Sequence, residues 1–188
     1  MLQPPSRLCR DDMDTKDQTR SDDRSFEAID DAFRSGDFAA LGRALGGSFR
    51  WFDETMPVEF GLGYPLEYAI YWSPVALIVT LIEAGSNPNY LDDAGFPSII
   101  AALSSRRDDR LEIVRALLGQ GADPNRRGLN DWTPLHFAVS VGDTAAIELL
   151  LSSGADPSLR TRIDDCTTAL EDASKRGFRA GATLLQNA

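Results

Sequence analysis

The fold of this chain is decided by residues 133–156, which read TPLHFAVSVGDTAAIELLLSSGAD. Pro134 suits the first turn of a helix, because a residue there has no intrahelical partner for an N–H group. A first helix would end near Gly142, and the carboxylate of Asp143 can cap the start of a second helix. Gly154 is a typical helix stop. The stretch therefore predicts a helical hairpin followed by a turn.

The second helix of this hairpin carries a buried-type stripe that recurs along the chain. Such residues stand at positions i, i+3, i+6 and i+7, which lie on one face of a helix. Five sets begin at Phe38, Val75, Leu111, Thr144 and Phe178. Successive sets start 37, 36, 33 and 34 residues apart, a period typical of repeat proteins. The chain is therefore expected to repeat one hairpin five times.

A first helix and a turn precede each stripe. First helices are expected to begin at Ser25, Pro65, Pro97, Pro134 and Thr168. Interhelix turns, most of them with a capping carboxylate or a proline, are predicted at Gly36-Asp37, Ser73-Pro74, Asp109, Gly142-Asp143 and Arg176-Gly177. Similar glycine-containing turns follow three of the second helices, at residues 85–89 (GSNPN), 121–125 (GADPN) and 154–158 (GADPS).

The hexapeptide TPLHFA at residues 133–138 and the turn GADPN at residues 121–125 resemble the signature of the ankyrin repeat. The resemblance implies an all-α solenoid of helix-turn-helix units linked by hairpin loops. Its units would cover residues 25–60, 61–93, 94–128, 129–163 and 164–188. The resemblance also implies that His136 ties neighbouring units together by hydrogen bonds. The second and third units keep the proline but lack the threonine and the histidine, so this polar tie is expected to be missing there.

Three segments depart from the repeat. Residues 1–24 contain eleven charged side chains and almost no periodic apolar residues, which predicts a disordered tail. The long apolar link at residues 47–63 is expected either to fold as a lid over the first unit or to contact a partner. The turn at residues 104–109 is about four residues longer than the others, and we interpret it as a solvated loop whose charges pair with one another. Arg107→Ala is accordingly expected to cost under about 0.5 kcal/mol.

The net charge and the composition of the chain limit the classes of partner that it is expected to bind. The formal net charge of -10 argues against nucleic acid, because Lys and Arg supply most of the affinity for phosphate backbones. Residues 27–93 hold 11 acidic and 3 basic side chains, whereas residues 94–188 hold 12 and 11. An acidic first half suits a basic partner, although a solvated surface that keeps the protein soluble would also explain it. The longest uncharged run has 15 residues, fewer than the roughly 20 that a membrane span needs.

Few residues here are suited to catalysis or metal binding. No apolar stretch of a secretory leader is recognisable near the start of the sequence, so a cytoplasmic protein is expected, with Cys9 and Cys166 as unpaired thiols. His136 is the one histidine, and no phosphate-binding glycine loop is present. We predict a protein that is not an enzyme and that has no cofactor and no metal site.

The leading functional hypothesis is a monomeric protein-protein interaction module, an adaptor or an inhibitor such as an immunity-type protein. The resemblance places the contact surface on the hairpin tips and on the ends of the first helices, which form a concave face. The residues it implies are Tyr71, Trp72, Asp92, Asp93, Leu129, Asn130, Trp132, Ser140, Val141, Lys175 and Arg176, with Gly63, Leu103, Ser104, Asp164 and Asp165 at matching places. The alternative is a regulatory module that holds a small molecule or a peptide in a groove lined by Trp51, Trp72 and Trp132.

Overall fold

The computed structural model of the protein describes residues 26–45, 64–91, 95–163 and 165–188, which form short helices joined by turns. The helices are α1 (residues 26–35), α2 (Phe38–Ala44), α3 (Pro65–Trp72), α4 (Val75–Glu83), α5 (Ser98–Ser104), α6 (Arg110–Gly119), α7 (Pro134–Val141), α8 (Thr144–Ser152), α9 (Ala169–Lys175) and α10 (Arg179–Gln186). A single-turn 3-10 helix, Leu129–Asp131, precedes α7. Extended pairing in the described ranges is limited to two isolated bridges, Leu91 with Pro97 and Arg160 with Thr168.

The helices stack in two layers. The first helices of successive hairpins pack on one another from α3 through α5 and α7 to α9, and the second helices do so from α4 through α6 and α8 to α10. Helix α1 joins the first layer, since the rings of Phe33 and Tyr68 have centroids 4.8 Å apart. This arrangement confirms the predicted all-α solenoid. The division into five units that we propose assigns one helix pair to each unit.

One continuous core runs through the stack from Ile29 in α1 to Leu185 in α10. The stripe predicted for the second helices is confirmed, because its second member, at position i+3, is buried in every copy: Leu41, Ile78, Val114, Ile147 and Gly181. Burial of each Leu, Ile or Val side chain of this kind contributes about 1.5 to 3 kcal/mol. Each unit therefore depends on its neighbours to cover its apolar face.

Two asparagines connect the turns that follow the second helices. The Asn89 side chain donates to the Gly121 carbonyl oxygen (3.0 Å) and accepts from the Asp123 N–H group (2.7 Å). Asn125 makes the same pair of bonds one unit later, to Gly154 (3.2 Å) and Asp156 (2.8 Å). These bonds satisfy backbone groups of the turns, and they fix the spacing between units.

His136 forms a second kind of tie, as the resemblance implies. Its Nδ1 atom lies 2.9 Å from the Thr133 hydroxyl oxygen, and its Nε2 atom lies 3.0 Å from the Thr167 carbonyl oxygen. A proton on Nε2 can be donated to that carbonyl, which leaves Nδ1 as the acceptor. The ring is buried, and this burial lowers the pKa of His136 below its ordinary 6.5. The neutral ring therefore links α7 to the following hairpin.

Stability should depend on pH through this single histidine. Because the pKa of His136 is lower in the folded protein, the unfolded chain takes up a proton at a higher pH than the folded protein does. The contribution of His136 is therefore complete above about pH 7 and is lost as the pH falls below about 6.5. As the pH falls through that range, we expect the free energy of unfolding of the wild-type protein to decrease by up to about 1.4 kcal/mol per pH unit more than that of His136→Asn. Urea unfolding of both proteins between pH 7.5 and 5.5 measures the difference, and parallel curves would contradict it.

The third unit differs by one residue from the predicted alignment. Pro97 is predicted to begin the first helix, but α5 begins at Ser98, and Pro97 is its extended N-cap residue with φ −64° and ψ 155°. Pro97 bridges to Leu91 in the way that Thr168 bridges to its own hairpin, so it occupies the threonine position of the repeat. Proline suits both an extended cap and a first helical turn, so the sequence did not distinguish these positions. The missing threonine tie is replaced in part by the Ser98 hydroxyl, which donates to the Pro88 carbonyl oxygen.

The long turn of the third unit pairs two of its charges internally, as predicted, but it is not merely a solvated loop. Five residues, 105–109, separate α5 from α6, three more than the two that separate α3 from α4. The Arg107 side chain is only 20% exposed, and its Nη1 atom donates to the carbonyl oxygens of Ile70 (3.2 Å) and Ser73 (2.6 Å) at the end of α3. Asp109, predicted as a helix cap, makes no side-chain cap and instead binds Arg107, whose hydrogen bond lowers the pKa of Asp109. The turn therefore connects two units.

Arg107→Ala should consequently destabilise the protein by about 1 to 3 kcal/mol, since it leaves two carbonyl groups and one carboxylate without their charged partner. This replaces the smaller effect expected from the sequence. The neighbouring Arg106 is exposed and provides a matched control, because Arg106→Ala removes the same side chain without those bonds. Thermal unfolding of the two variants tests the prediction, and equal midpoints would show that the Arg107 contacts contribute nothing.

Two predictions lie outside the described residues. These are the disordered tail at residues 1–24 and the lid or contact role of the link at residues 47–63. Cys9 also lies outside them, whereas Cys166 is a free and exposed thiol.

Candidate partner-binding surface

The ends of the first helices present part of the predicted contact surface. Trp72 at the end of α3 is 51% exposed, and Val141 at the end of α7 is 56% exposed. Tyr71 is partly buried, and its hydroxyl oxygen lies 3.3 Å from that of Ser104. Leu103, expected at the surface, is buried because the shifted register of α5 turns it into the core. We call the exposed positions in this line the first-helix row.

The polar members of this row are engaged within the chain. The Ser140 hydroxyl donates to the Phe137 carbonyl oxygen (2.7 Å). Lys175 pairs with Asp165 (2.9 Å), and Arg176 pairs with Asp172 (2.9 Å). These ion pairs are largely exposed, so a partner could replace them at low energetic cost. The row therefore carries exposed apolar side chains at Trp72 and Val141 and paired charges at its C-terminal end.

The hairpin tips present the other exposed residues. Leu129 is 51% exposed, and Ile163 in the next hairpin is 48% exposed. Asn130 is also exposed and adopts a left-handed conformation with φ 58°, which asparagine tolerates better than most residues. Trp132, predicted to be an exposed contact residue, is partly buried instead. Its carbonyl oxygen accepts from the Gly128 N–H group (2.9 Å), so it lies at the base of the hairpin rather than at the tip.

Asp131 fixes two of these hairpins against each other. Its side chain is 8% exposed and binds Arg127 (2.6 Å) in the same hairpin. It also accepts from the backbone N–H (2.6 Å) and the guanidinium (2.5 Å) of Arg162 in the following hairpin. The hydrogen bond from the Arg162 side chain lowers the pKa of Asp131. In addition, Arg127 donates to the Arg160 carbonyl oxygen (2.9 Å).

The preceding hairpin is held by a close backbone approach. The Leu129 N–H group donates to the Gly95 carbonyl oxygen (2.7 Å). A Cβ atom on Gly128 would lie 2.5 Å from Cδ of Pro97 and 2.7 Å from the Gly95 carbonyl oxygen, so only glycine fits there without a backbone shift. Three successive hairpins are thus held together, and Leu129 and Ile163 are presented on a fixed support. None of these contacts was predicted from the sequence.

Asp131→Asn should loosen this support. Asparagine keeps the size of the side chain and tolerates the φ of 60° at this position, so the change removes the charge and one acceptor oxygen without changing the packing volume. We expect a cost of about 1 to 3 kcal/mol because the carboxylate is buried and accepts several charged hydrogen bonds. The Arg162 amide should also exchange faster with deuterium. Asp165→Asn, which removes an exposed ion pair, is the control, and equal exchange in both variants would contradict the prediction.

A cluster around Trp72 was also missed by the sequence analysis. The guanidinium carbon of Arg34 lies 4.7 Å from the centre of the Trp72 ring. Asp30 accepts from Arg34 Nε (2.7 Å) and from the Tyr68 hydroxyl. These bonds lower the pKa of Asp30, and burial together with the Asp30 bond raises the pKa of Tyr68 to about 12. The four-residue spacing of Asp30 and Arg34 was the available signal, but it does not indicate contact with α3.

Asp92 and Asp93 lie outside the described residues, as do Gly63, Asp164 and Trp51. Two cavities, of about 280 and 410 Å³, lie beside Tyr90 and beside Val141 respectively, and neither is lined by Trp72 or Trp132. These cavities therefore give no support to a tryptophan-lined groove.

In the described part of the chain, no three His, Cys, Asp or Glu side chains come together as possible metal ligands. Among the helices in the described ranges, none combines the length and the apolar character that a bilayer crossing requires.

Stacked helical hairpins with an Asn-linked turn and a buried Thr-His tie define a repeat solenoid. Residues 99–151 match the family model of ankyrin repeats, and the chain is an ankyrin-repeat protein. It is 36% identical over 104 residues to the glycerophosphocholine phosphodiesterase gde1 of Schizosaccharomyces pombe, covering 54% of this chain and 9% of the relative. It is 36% identical over 103 residues to the putative E3 ubiquitin-protein ligase XBAT34 of Arabidopsis thaliana (54% and 26%). It is 29% identical over 125 residues to the ankyrin repeat and KH domain-containing protein mask-1 of Caenorhabditis elegans (66% and 4%).

The chain thus spans about a quarter or less of the length of these relatives. The relatives that are named as enzymes match only over the repeat region. The similarity therefore concerns the repeats, which are general protein-protein interaction modules, and not a catalytic domain.

Proposed function

We propose that this protein binds a partner protein through the hairpin tips and the first-helix row. The surface would centre on Trp72, Val141, Leu129 and Ile163, with Asn130 between the two hairpin residues. Trp72, Val141 and Leu129 are predicted positions whose apolar side chains are exposed, and Ile163 is a fourth exposed apolar residue that the sequence analysis did not name.

The distribution of exposed apolar side chains carries this proposal. In the described ranges six large apolar residues are exposed: Phe26, Trp72, Leu91, Leu129, Val141 and Ile163. All of them lie on first helices or hairpins, and none lies on a second helix. Exposed apolar area concentrated on one side of a protein is typical of an interaction surface. Trp72 has the size and shape of a binding hot spot.

Charge supports a basic partner at the N-terminal end of the surface. In residues 26–45 and 64–91 there are six acidic and two basic side chains, a net charge of −4. In residues 95–163 and 165–188 there are eleven of each. Unequal charge along a surface orients an approaching partner and accelerates association.

The specific role that we propose is a monomeric cytoplasmic inhibitor or adaptor. An immunity-type inhibitor, which neutralises a basic partner by covering it, would use both the apolar row and the acidic end. Light scattering on the purified protein tests the monomeric state, and it would detect a dimer directly.

The binding surface can be tested by affinity capture from cells that produce the protein. Wild-type protein should retain a partner in stoichiometric amount, whereas Trp72→Ala and Leu129→Ala should each weaken binding of that purified partner by about 2 kcal/mol or more. Isothermal titration with the purified partner measures the change. Each substitution is expected to weaken binding because it removes an exposed apolar contact, and it leaves the buried core unchanged.

The matched control lies on the opposite layer. Glu148 is an exposed residue of α8, and Glu148→Ala should leave the affinity unchanged. Circular dichroism confirms that each variant is folded. Binding that survives both Trp72→Ala and Leu129→Ala but is lost in Glu148→Ala would place the contact surface on the second helices instead.

A further inference from the structure

We propose that Trp72, Tyr68 and Asp30 form a binding site for a cationic side chain of the partner, and that Arg34 occupies this site in the free protein. This inference deepens the proposed function and rests on it for the identity of the natural ligand. The ligand class is a guanidinium or ammonium group on a basic segment of the partner protein.

The geometry contains the two elements that recognise such a cation. The exposed Trp72 ring provides an aromatic face, and the Arg34 guanidinium carbon lies 4.7 Å from its centre, within the range of a cation–π interaction. The Asp30 carboxylate provides the countercharge and accepts from Arg34 Nε at 2.9 and 2.7 Å. The Tyr68 hydroxyl donates to Asp30 and fixes the position of the carboxylate. Tyr68 also lies beside Trp72, with ring centroids 6.5 Å apart.

The internal ligand is held weakly enough to be exchanged. The Arg34 side chain is 49% exposed and lies on the same helix as Asp30, one turn away. Exposed pairs at this spacing contribute little to stability, because solvent screens them and the side chains lose entropy. Asp30 and Tyr68, by contrast, are joined across two helices and are less exposed, so the site remains formed when Arg34 leaves.

The surroundings favour a cation over other ligands. Glu27 and Asp31 are exposed on α1, and Glu67 lies on α3, while Arg34 and Arg43 are the basic residues described between positions 26 and 91. A second cation that enters the site therefore meets a net negative field. An anion or a neutral apolar group would not benefit from it.

The test uses a small probe and does not require the partner. N-acetyl-arginine amide is titrated into 15N-labelled protein, and the Trp72 indole signal is followed; it is one of three such signals and is identified by its loss in Trp72→Phe. N-acetyl-norleucine amide is the neutral control. We expect the arginine probe to shift the Trp72 signal, and Arg34→Ala to bind it about fivefold more tightly than wild type, because the tethered competitor is gone.

Asp30→Asn combined with Arg34→Ala should abolish the shift, and Arg43→Ala, which removes an exposed arginine elsewhere, should behave like wild type. Circular dichroism reports whether the double variant is folded. The proposal is wrong if the norleucine probe shifts the signal equally, if Arg34→Ala does not bind more tightly, or if Arg34→Ala alone binds no better than a folded double variant. If the arginine probe does not shift the Trp72 signal although a partner protein still binds through Leu129, this site is rejected and the proposed function stands. If the probe binds at Trp72 but no partner protein is captured, the proposed function is rejected.

Discussion

The structure depends on one constraint, which is that no helix pair can cover its own apolar face. Every first helix contains a fully or almost fully buried alanine at the same place, at Ala32, Ala69, Ala102, Ala138 and Ala173. A small residue there allows neighbouring helices to approach closely, whereas larger aliphatic residues fill the second layer. Because each unit is stabilised by its neighbours, exposed side chains at the ends of the first helices, such as Trp72 and Val141, are not needed to cover the core.

Hydrogen bonds between units fix their spacing, which apolar packing alone does not determine. These bonds differ from unit to unit. The asparagine bonds of Asn89 and Asn125 are repeated, but the histidine tie of His136 occurs only between the last two units. In the third unit the Arg107 side chain donates to two carbonyl oxygens at the end of α3, so it also links neighbouring units. The chain therefore replaces missing signature residues with contacts of another chemistry, which is why a weakly matching unit still stacks in register.

Local patterns predicted the architecture well, and long-range contacts were not predictable. The stripe, the capping carboxylates Asp37 and Asp143 and the tie of His136 depend on neighbours in sequence or on a known motif. Arg107 and Arg34, in contrast, meet groups 34 to 38 residues away, and no spacing within one helix indicates those partners. At the candidate surface the sequence indicated the exposed apolar positions Trp72, Leu129 and Val141, but it missed the burial of Leu103, the partial burial of Trp132 and the exposure of Ile163. Whether these positions bind a partner stays a prediction.

The two ends of the candidate surface suit different steps of association. The hairpins that carry Leu129 and Ile163 are fixed by Asp131 and Gly128, so little conformational freedom remains to be lost there when a partner docks. The Trp72 end is acidic and holds an exchangeable cation, which suits early, long-range recognition of positive charge. Electrostatic attraction acts mainly on the rate of encounter, whereas desolvated apolar contacts act mainly on the lifetime of the complex. Added salt should therefore slow association at the acidic end while it changes dissociation from the hairpins much less.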